Sequence, residues 1–452
     1  MKMIADNKNP EINNLVVKLL KKTGKKGYYW GFFLLLIVIA GTYALVIQIT
    51  KGHIVTGMRD NVAWGLYIAN FIFFMGLSYA SAIISGLLRL FRVSWRRPVI
   101  RITDLMTIIS AIIGPLYILL CIGRIDRLHH LIVYARIQSP IIWDVFAIST
   151  FLIGGIIILY LGLIEDFALL RDNHFIKAGK LRKRLYKLLA LRYNKSPEQT
   201  KILYNNLDLI SALLIPVAII LSTILSWVFG LTLRPGWNST IFGPYFVFAS
   251  IYSGIAAIIV ALWIFRKAYH LEKYITKVHF IKLGILLLVL SILYGYFTFN
   301  EYFSIWYSSE KWDTKLLAKL FDFSQYGWLF IFSNYVGILL PIIVVAVPWL
   351  RRINNIAVVS VIVIISLWIK RYIIVVPTLE TTLFPIQDTR EAWINYSPTW
   401  VEWSITIGGV AMICLLFMLV SRLIPIMPLK EALDKEKIGN KNIVPELWDF
   451  NK

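Results

Sequence analysis

The chain has 452 residues, 58% of them hydrophobic and only 16% charged, with 47 Lys and Arg against 25 Asp and Glu and a mean hydropathy of +0.70. Soluble domains carry about 25% charged residues, so this composition excludes one. Repeated apolar runs of about 20 residues, each long enough to cross a hydrocarbon core ~30 Å thick, predict a bundle of membrane helices instead. The surplus of 22 positive charges reads as topology and contact with anionic headgroups. It does not read as nucleic-acid binding, because the arginine clusters adjoin apolar runs and no recognition module accompanies them.

A tail over 1–27 comes first, and Leu15, Val16, Val17, Leu19 and Leu20 among lysines predict a short interfacial helix within 11–27. Ten spans follow, near 28–49, 62–88, 103–123, 143–164, 205–229, 242–265, 280–300, 327–349, 355–376 and 400–421. The first starts too late and runs too long for a cleavable signal and is kept as a helix. In the link 165–204, Leu181, Leu185, Leu188 and Leu189 among basic residues predict a surface helix. A tail over 422–452 closes the chain, leaving 28–421 as the membrane domain. With the N-terminus inside, 34 Lys and Arg fall on the cytoplasmic side and 12 on the other, so both termini are expected in the cytoplasm.

An internal repeat divides the spans. Trp64-Gly65-Leu66-Tyr67 and Gly76 in span two match Phe242-Gly243-Pro244-Tyr245 and Gly254 in span six, an offset of 178 residues. Four helices per unit, an even number, give a parallel repeat. The predicted architecture is therefore two four-helix bundles, spans two to five and six to nine, with spans one and ten at the flanks.

Histidines at 53, 129, 130, 174, 270 and 279 lie in loops or at span ends, whereas a bis-histidine haem between helices needs them inside the spans. Cys121 and Cys414 are too few for an iron–sulfur cluster or a Cys-rich zinc site. The chain is thus expected to hold no haem and no cluster, and any electrons it handles need metal centres on another subunit. No phosphate-binding glycine loop stands in a strand-to-helix context.

Ionisable side chains cost about 2.5–3.5 kcal/mol at the membrane centre, so each needs a partner or a role. Cys121-Ile122-Gly123-Arg124-Ile125-Asp126-Arg127 leaves span three, and Ser139-Pro140-Ile141-Ile142-Trp143-Asp144 enters span four. Two readings stand: a salt-bridge staple with Trp143 as interfacial anchor, or a site for a polar headgroup with Asp144 as proton acceptor and Arg124 as its electrostatic partner. Arg371 and Glu402, near the outer ends of spans nine and ten, form a candidate second pair. Asp104, Glu165, Asp166 and Lys282, at cytoplasmic span ends, are either Arg-paired, snorkelling groups or the mouth of a proton path. Asn70, Ser78, Tyr79 and Ser81 line one stretch of span two, where helix–helix contacts are the default reading.

At these residues the sequence resembles the NrfD-like family, quinone-reactive membrane subunits of polysulfide-reductase type complexes and of alternative complex III. The matching segments are Trp64 to Ser85, Trp95 to Thr107, Gly123 to Leu128, Ser139 to Asp144 and Pro235 to Ala256, with Tyr294 to Ser308 and Trp368 to Glu402 similar to the ten-helix branch. The resemblance implies a prokaryotic inner-membrane subunit that binds a menaquinone- or ubiquinone-type molecule near the outer face. It also implies a docked ferredoxin-like iron–sulfur subunit and, beyond it, a molybdopterin-type or multihaem catalytic subunit. The expected quinone site comprises Arg124, Asp126, Trp143 and Asp144, with Tyr79 and Asn70 as further candidates. The expected proton path comprises Asp104, Glu165, Asp166, Lys282, Arg371 and Glu402. Tyr79, Cys121, Ser222 and Asn238 stand where the ten-helix branch commonly has His, and Val228 where it has an acid. These departures mark either a subgroup or loss of a proton chain in the second bundle. The rival reading is a ten-helix secondary transporter with a mid-membrane site between helices broken at Pro216, Pro341 or Pro348; a purely structural anchor is the third.

Overall fold

A computed structural model describes residues 24–428 apart from 94, 124, 173–179, 233 and 383–393. Ten helices among the described residues are long and apolar enough to cross a membrane: α1 (Lys25–Lys51), α2 (Leu66–Leu90), α3 (Arg97–Ile122), α4 (Pro140–Asp172), α6 (Pro197–Gly230), α7 (Phe242–Ala268), α8 (Lys277–Ser308), α10 (Gly327–Ala346), α11 (Ile353–Glu380) and α12 (Trp400–Leu423). Among the shorter helices that join them are α5 (Lys180–Leu189) and α9 (Lys311–Phe321). The expected interfacial helix at 11–27 lies outside the described residues up to 23, as does the tail from 429.

Helices overrun the apolar runs wherever a cap and polar flanks extend them. Ser196 accepts a hydrogen bond from Gln199 N ahead of Pro197, which starts α6 eight residues before its apolar stretch. Thr276 with His279 caps α8, and Thr399 with Glu402 caps α12, each reciprocally. The expected surface helix in the 165–204 link is α5. Its anchor, however, is Tyr186, which is buried, stacks on Phe167 and donates to Leu423 O at 3.0 Å, whereas Leu185 and Leu188 are exposed. The sequence reading missed α9, whose 11 residues are too short and too polar to register as a span. Asp313 in its first turn accepts from Gly236 N at 2.9 Å, tying α9 to the loop before α7, and burial raises this carboxyl above its ordinary value.

The repeat is visible in the packing. Within the first unit α2 packs on α3 and α6, and α4 on α3 and α6; within the second α7 packs on α8 and α11, and α10 on α8 and α11. The equivalent helices α2 and α7 meet each other at the centre, while α1 and α12 pair at the flank and reach the first bundle through α3 and α2. Along α2 nearly every residue is buried, so its Asn, Ser and Tyr side chains must be satisfied within protein.

Glycines set the closest approaches. A Cβ on Gly254 would lie 2.2 Å from Ala80 Cβ, at the contact of α7 with α2. Gly254→Ala is therefore expected to destabilise the protein by about 1–3 kcal/mol through overpacking. Ala80→Gly in the same chain is expected to recover part of that loss, read as the thermal midpoint of the purified protein. Equal stability of Gly254→Ala and the parent would remove this contact from the account.

Candidate functional site

Short connections alternate the direction of successive spans, so Asp144 marks one end of the first bundle and Asp104 the other. Pro140 opens α4 where its missing N–H costs nothing, and Asp144 follows one turn later, where the helix dipole favours an acid. The Asp144 side chain is buried at 6% exposure, and its Oδ1 makes no hydrogen bond among the described residues. Tyr79, fully buried on α2, meets Phe151 of α4 edge-on at 5.2 Å and lies within electrostatic reach of Asp144. Its hydroxyl also has no hydrogen-bond partner among the described residues. A buried acceptor in the first turns of α4 and a buried hydroxyl midway along α2, within electrostatic reach of each other, are thus both unsatisfied among the described residues. Such atoms cost about 1–3 kcal/mol each unless something else meets them.

The rest of this end is differently occupied. Asp126 is exposed in the turn after α3, and the Asp126 carbonyl lies 2.9 Å from His129 Nδ1. Trp143 is 38% exposed and donates through Nε1 to Ile137 O. Arg124 lies outside the described residues; Gly123 before it takes a φ of +70°, with His53 against it. Asn70 is engaged on both sides of its amide, accepting from Trp368 Nε1 and donating to Thr406 Oγ1, each at 2.8 Å. It joins α2 to α11 and α12, as the default reading expects. Sequence reasoning missed Gln48, which donates to Leu120 O at 3.1 Å and accepts from Tyr67 at 2.5 Å, linking α1 to α3 and α2.

At the other end Asp104, Glu165 and Asp166 come together. Arg89 pairs with Asp104, and Ser85 donates to the same carboxylate at 2.5 Å. Arg101 pairs with Asp166 at 2.5 Å and donates to Gly162 O at 2.8 Å. Glu165 accepts from Tyr193 and Tyr204 at 3.1 and 2.9 Å. Asp104, Glu165 and Asp166 line a cavity of about 80 Å³ together with Arg89, Arg101 and Tyr204. A second cavity of about 10 Å³, close to the space of one water, touches Ser85, Asp104, Thr107 and Ser211 deeper in the bundle. Ser78, Ser81 and Ser85 repeat at helical spacing along α2 between the two ends. Ser78 donates to Thr107 O at 2.5 Å, while Ser81 Oγ and Ser110 Oγ are buried without partners among the described residues.

Lys282, Arg371 and Glu402 do not join this cluster. Lys282 is exposed beside the Trp95 ring. The expected Arg371–Glu402 pair is absent: Glu402 accepts from Gly57 N at 2.8 Å, Thr399 N at 2.9 Å and Tyr396 Oη at 2.5 Å, which satisfies it as a helix cap. α12 packs on α1 and the first bundle, whereas Arg371 stands over the Phe246 ring at 4.6 Å inside the second bundle. The acid beside it is Glu301, paired with Lys370 at 3.4 Å.

Comparison with known proteins fits this architecture. The model of the NrfD family, polysulphide reductase, matches residues 54–382, and the chain belongs to that family. It is similar to a selenate reductase subunit of Mesobacillus selenatarsenatis, 24% identical over 86% of this chain and 92% of that protein. It is also similar to the Hdr-like menaquinol oxidoreductase integral membrane subunit of Archaeoglobus fulgidus, 23% identical over 92% of this chain and 98% of that protein. A putative dimethyl sulfoxide reductase membrane subunit of Halobacterium salinarum is 27% identical over 54% of this chain; the match spans about half, 52%, of that protein.

Proposed function

We propose that this member of the NrfD family is the quinone-reactive membrane subunit of a multisubunit respiratory oxidoreductase, with its reactive site at the Asp144 end of the first bundle. The observation that carries the reading is the pair of buried, unsatisfied polar atoms, Asp144 Oδ1 and Tyr79 Oη. An acceptor and a hydroxyl of this kind fit a ring bearing carbonyl or hydroxyl oxygens, and the relatives' names, one a menaquinol oxidoreductase subunit, point the same way.

A menaquinone- or ubiquinone-type ring supplies two-electron, two-proton chemistry when bound. Tyr79 Oη donates a hydrogen bond to the headgroup oxygen, and Asp144 Oδ1 accepts or returns the proton that accompanies the electrons. Burial of both excludes bulk water from the exchange. Arg124 is assigned as the electrostatic partner of Asp144 from the sequence, and the exposed Asp126 and Trp143 form the rim of the proposed site. This end is the outer face by the basic-residue asymmetry, and both termini are cytoplasmic. A ferredoxin-like iron–sulfur subunit docks there and exchanges the electrons with a molybdopterin-type or multihaem catalytic subunit. Protons reach Asp144 from the cytoplasmic cavity at Asp104, Glu165 and Asp166 by way of the α2 serines.

The test is purification from native membranes by mild extraction. The chain is expected to carry a stoichiometric quinone and to copurify with an iron–sulfur subunit. Solute transport in liposomes by the chain alone, without bound quinone, would sink the reading in favour of a transporter.

A further inference from the structure

A second group of buried charges lies in the other bundle, away from the Asp144 site. Lys370 and Arg371 of α11 are 0% and 2% exposed, and Glu301 of α8 is 4% exposed. Lys370 Nζ is 3.4 Å from Glu301 Oε2, donates to Tyr302 Oη, and lies over the rings of Tyr302 and Tyr245 at 4.3 and 5.6 Å. Tyr245 in turn bonds Tyr294 Oη at 2.9 Å. Arg371 Nη1 has no hydrogen-bond partner among the described residues. On the side of α9 and α10, Tyr302 packs against an apolar cluster that includes Leu316, Leu320 and Phe330, with the amide of Asn334 also within reach of its hydroxyl. α10 is itself irregular here: Phe332–Val336 form a π-helical turn, and Asn334 Oδ1 is buried without a partner among the described residues. Such turns recur at functional sites.

Counting charges decides what this group can do. Two cations face one acid, and an uncompensated buried charge is costly. Arg stays protonated in proteins, whereas a buried Lys readily gives up its proton. With Lys370 as the neutral amine, Glu301 balances Arg371 and the group carries no net charge; with Lys370 as the ammonium, it carries one positive charge shared with Tyr302 and Glu301.

We propose that Lys370, Glu301 and Tyr302 form a proton-holding site in the second bundle, storing one exchangeable proton on Lys370 Nζ. On loading, the amine takes one proton from solvent and the site gains one positive charge; on unloading, both return. The site needs no quinone, so it stands or falls separately from the proposed reaction at Asp144.

The test is infrared difference spectroscopy of the native complex in lipid nanodiscs, recorded between paired buffers from acid to alkaline. The wild type is expected to show coupled carboxylate and phenol-ring bands as Lys370 changes charge. Tyr302→Phe, which alters no charge, should remove the phenol bands and so assign them. Lys370→Met leaves the balanced Glu301–Arg371 pair and Lys370→Arg retains the loaded state's charge, and both should abolish the carboxylate bands. Bands that persist in both Lys370 variants, or a wild type without them, would overturn the proposal. Thermal stability tests the charge count separately. Glu301→Gln leaves Arg371 without its acid even with Lys370 neutral and should be less stable than Lys370→Met, which keeps Glu301 to balance Arg371. Equal stability of the two single variants would remove the basis of the proposal.

Discussion

Replacing Asp144 by Asn is expected to lower quinone-linked turnover by about 10²–10⁴-fold, the usual contribution of a positioned proton-transfer group, while the complex still assembles. The amide keeps the size and one acceptor oxygen of the acid but carries neither its charge nor its exchangeable proton. Assembly is expected to survive because Asp144 Oδ1 makes no hydrogen bond among the described residues, and neutralising a buried acid removes a desolvation cost. Asp126→Asn is the contrast. That carboxylate is exposed in the turn after α3, and its loss is expected to change turnover by less than about threefold, the scale of an exposed charge worth under ~1 kcal/mol. Both are read as quinone-linked electron transfer by isolated membranes, with native gels reporting assembly. Near-normal turnover in Asp144→Asn would remove this residue from the mechanism.

Much of the fold was legible because a bilayer leaves few choices. Apolar runs fixed where the spans lie, and the 178-residue offset of the Gly-x-Tyr pattern predicted that α2 and α7 are equivalent, in keeping with the matching pattern of contacts each makes within its own four helices. Span ends were less legible. α4 runs for 33 residues, and its last turns carry Glu165, Asp166, Arg171 and Asp172, so hydropathy ends the span before them. Pairing of charges was the least legible. Arg371, about two turns inside the outer end of its span, and Glu402, at the start of the next, lie on spans that are neighbours in sequence, yet α11 turns Arg371 toward α7 and α12 turns Glu402 toward the loop at Gly57. Depth follows from position in a span, but the facing helix follows only from how the bundles dock. Two signals were nevertheless present. Thr399 three residues before Glu402 has the spacing of a reciprocal cap, which predicts a structural carboxylate. Lys370 beside Arg371 within an apolar run is a doublet that no single snorkelling side chain explains.

The ion pairs at the Asp104 end allow structural and proton-conducting roles to be separated. Asp166→Asn is expected to destabilise the protein by about 3–5 kcal/mol, because it leaves the Arg101 guanidinium buried without its charge partner. That guanidinium is nearly inaccessible and its Nη1 already lacks a partner among the described residues. Removing both charges, as Arg101→Met/Asp166→Leu, should recover most of the loss, since an apolar pair of similar volume replaces a buried ion pair at little cost. Thermal unfolding reads this term. If the pair only staples α3 to α4, the double variant should also restore turnover and the protons taken up per electron in proteoliposomes. If Asp166 belongs to the route from the cavity to Asp144, stability should return while proton uptake does not, because Leu accepts no proton. The same comparison at Arg89 and Asp104 locates the entrance more finely. Asp104 also accepts from Ser85 and borders the deeper cavity, so its double variant should affect proton uptake more than the pair at Asp166.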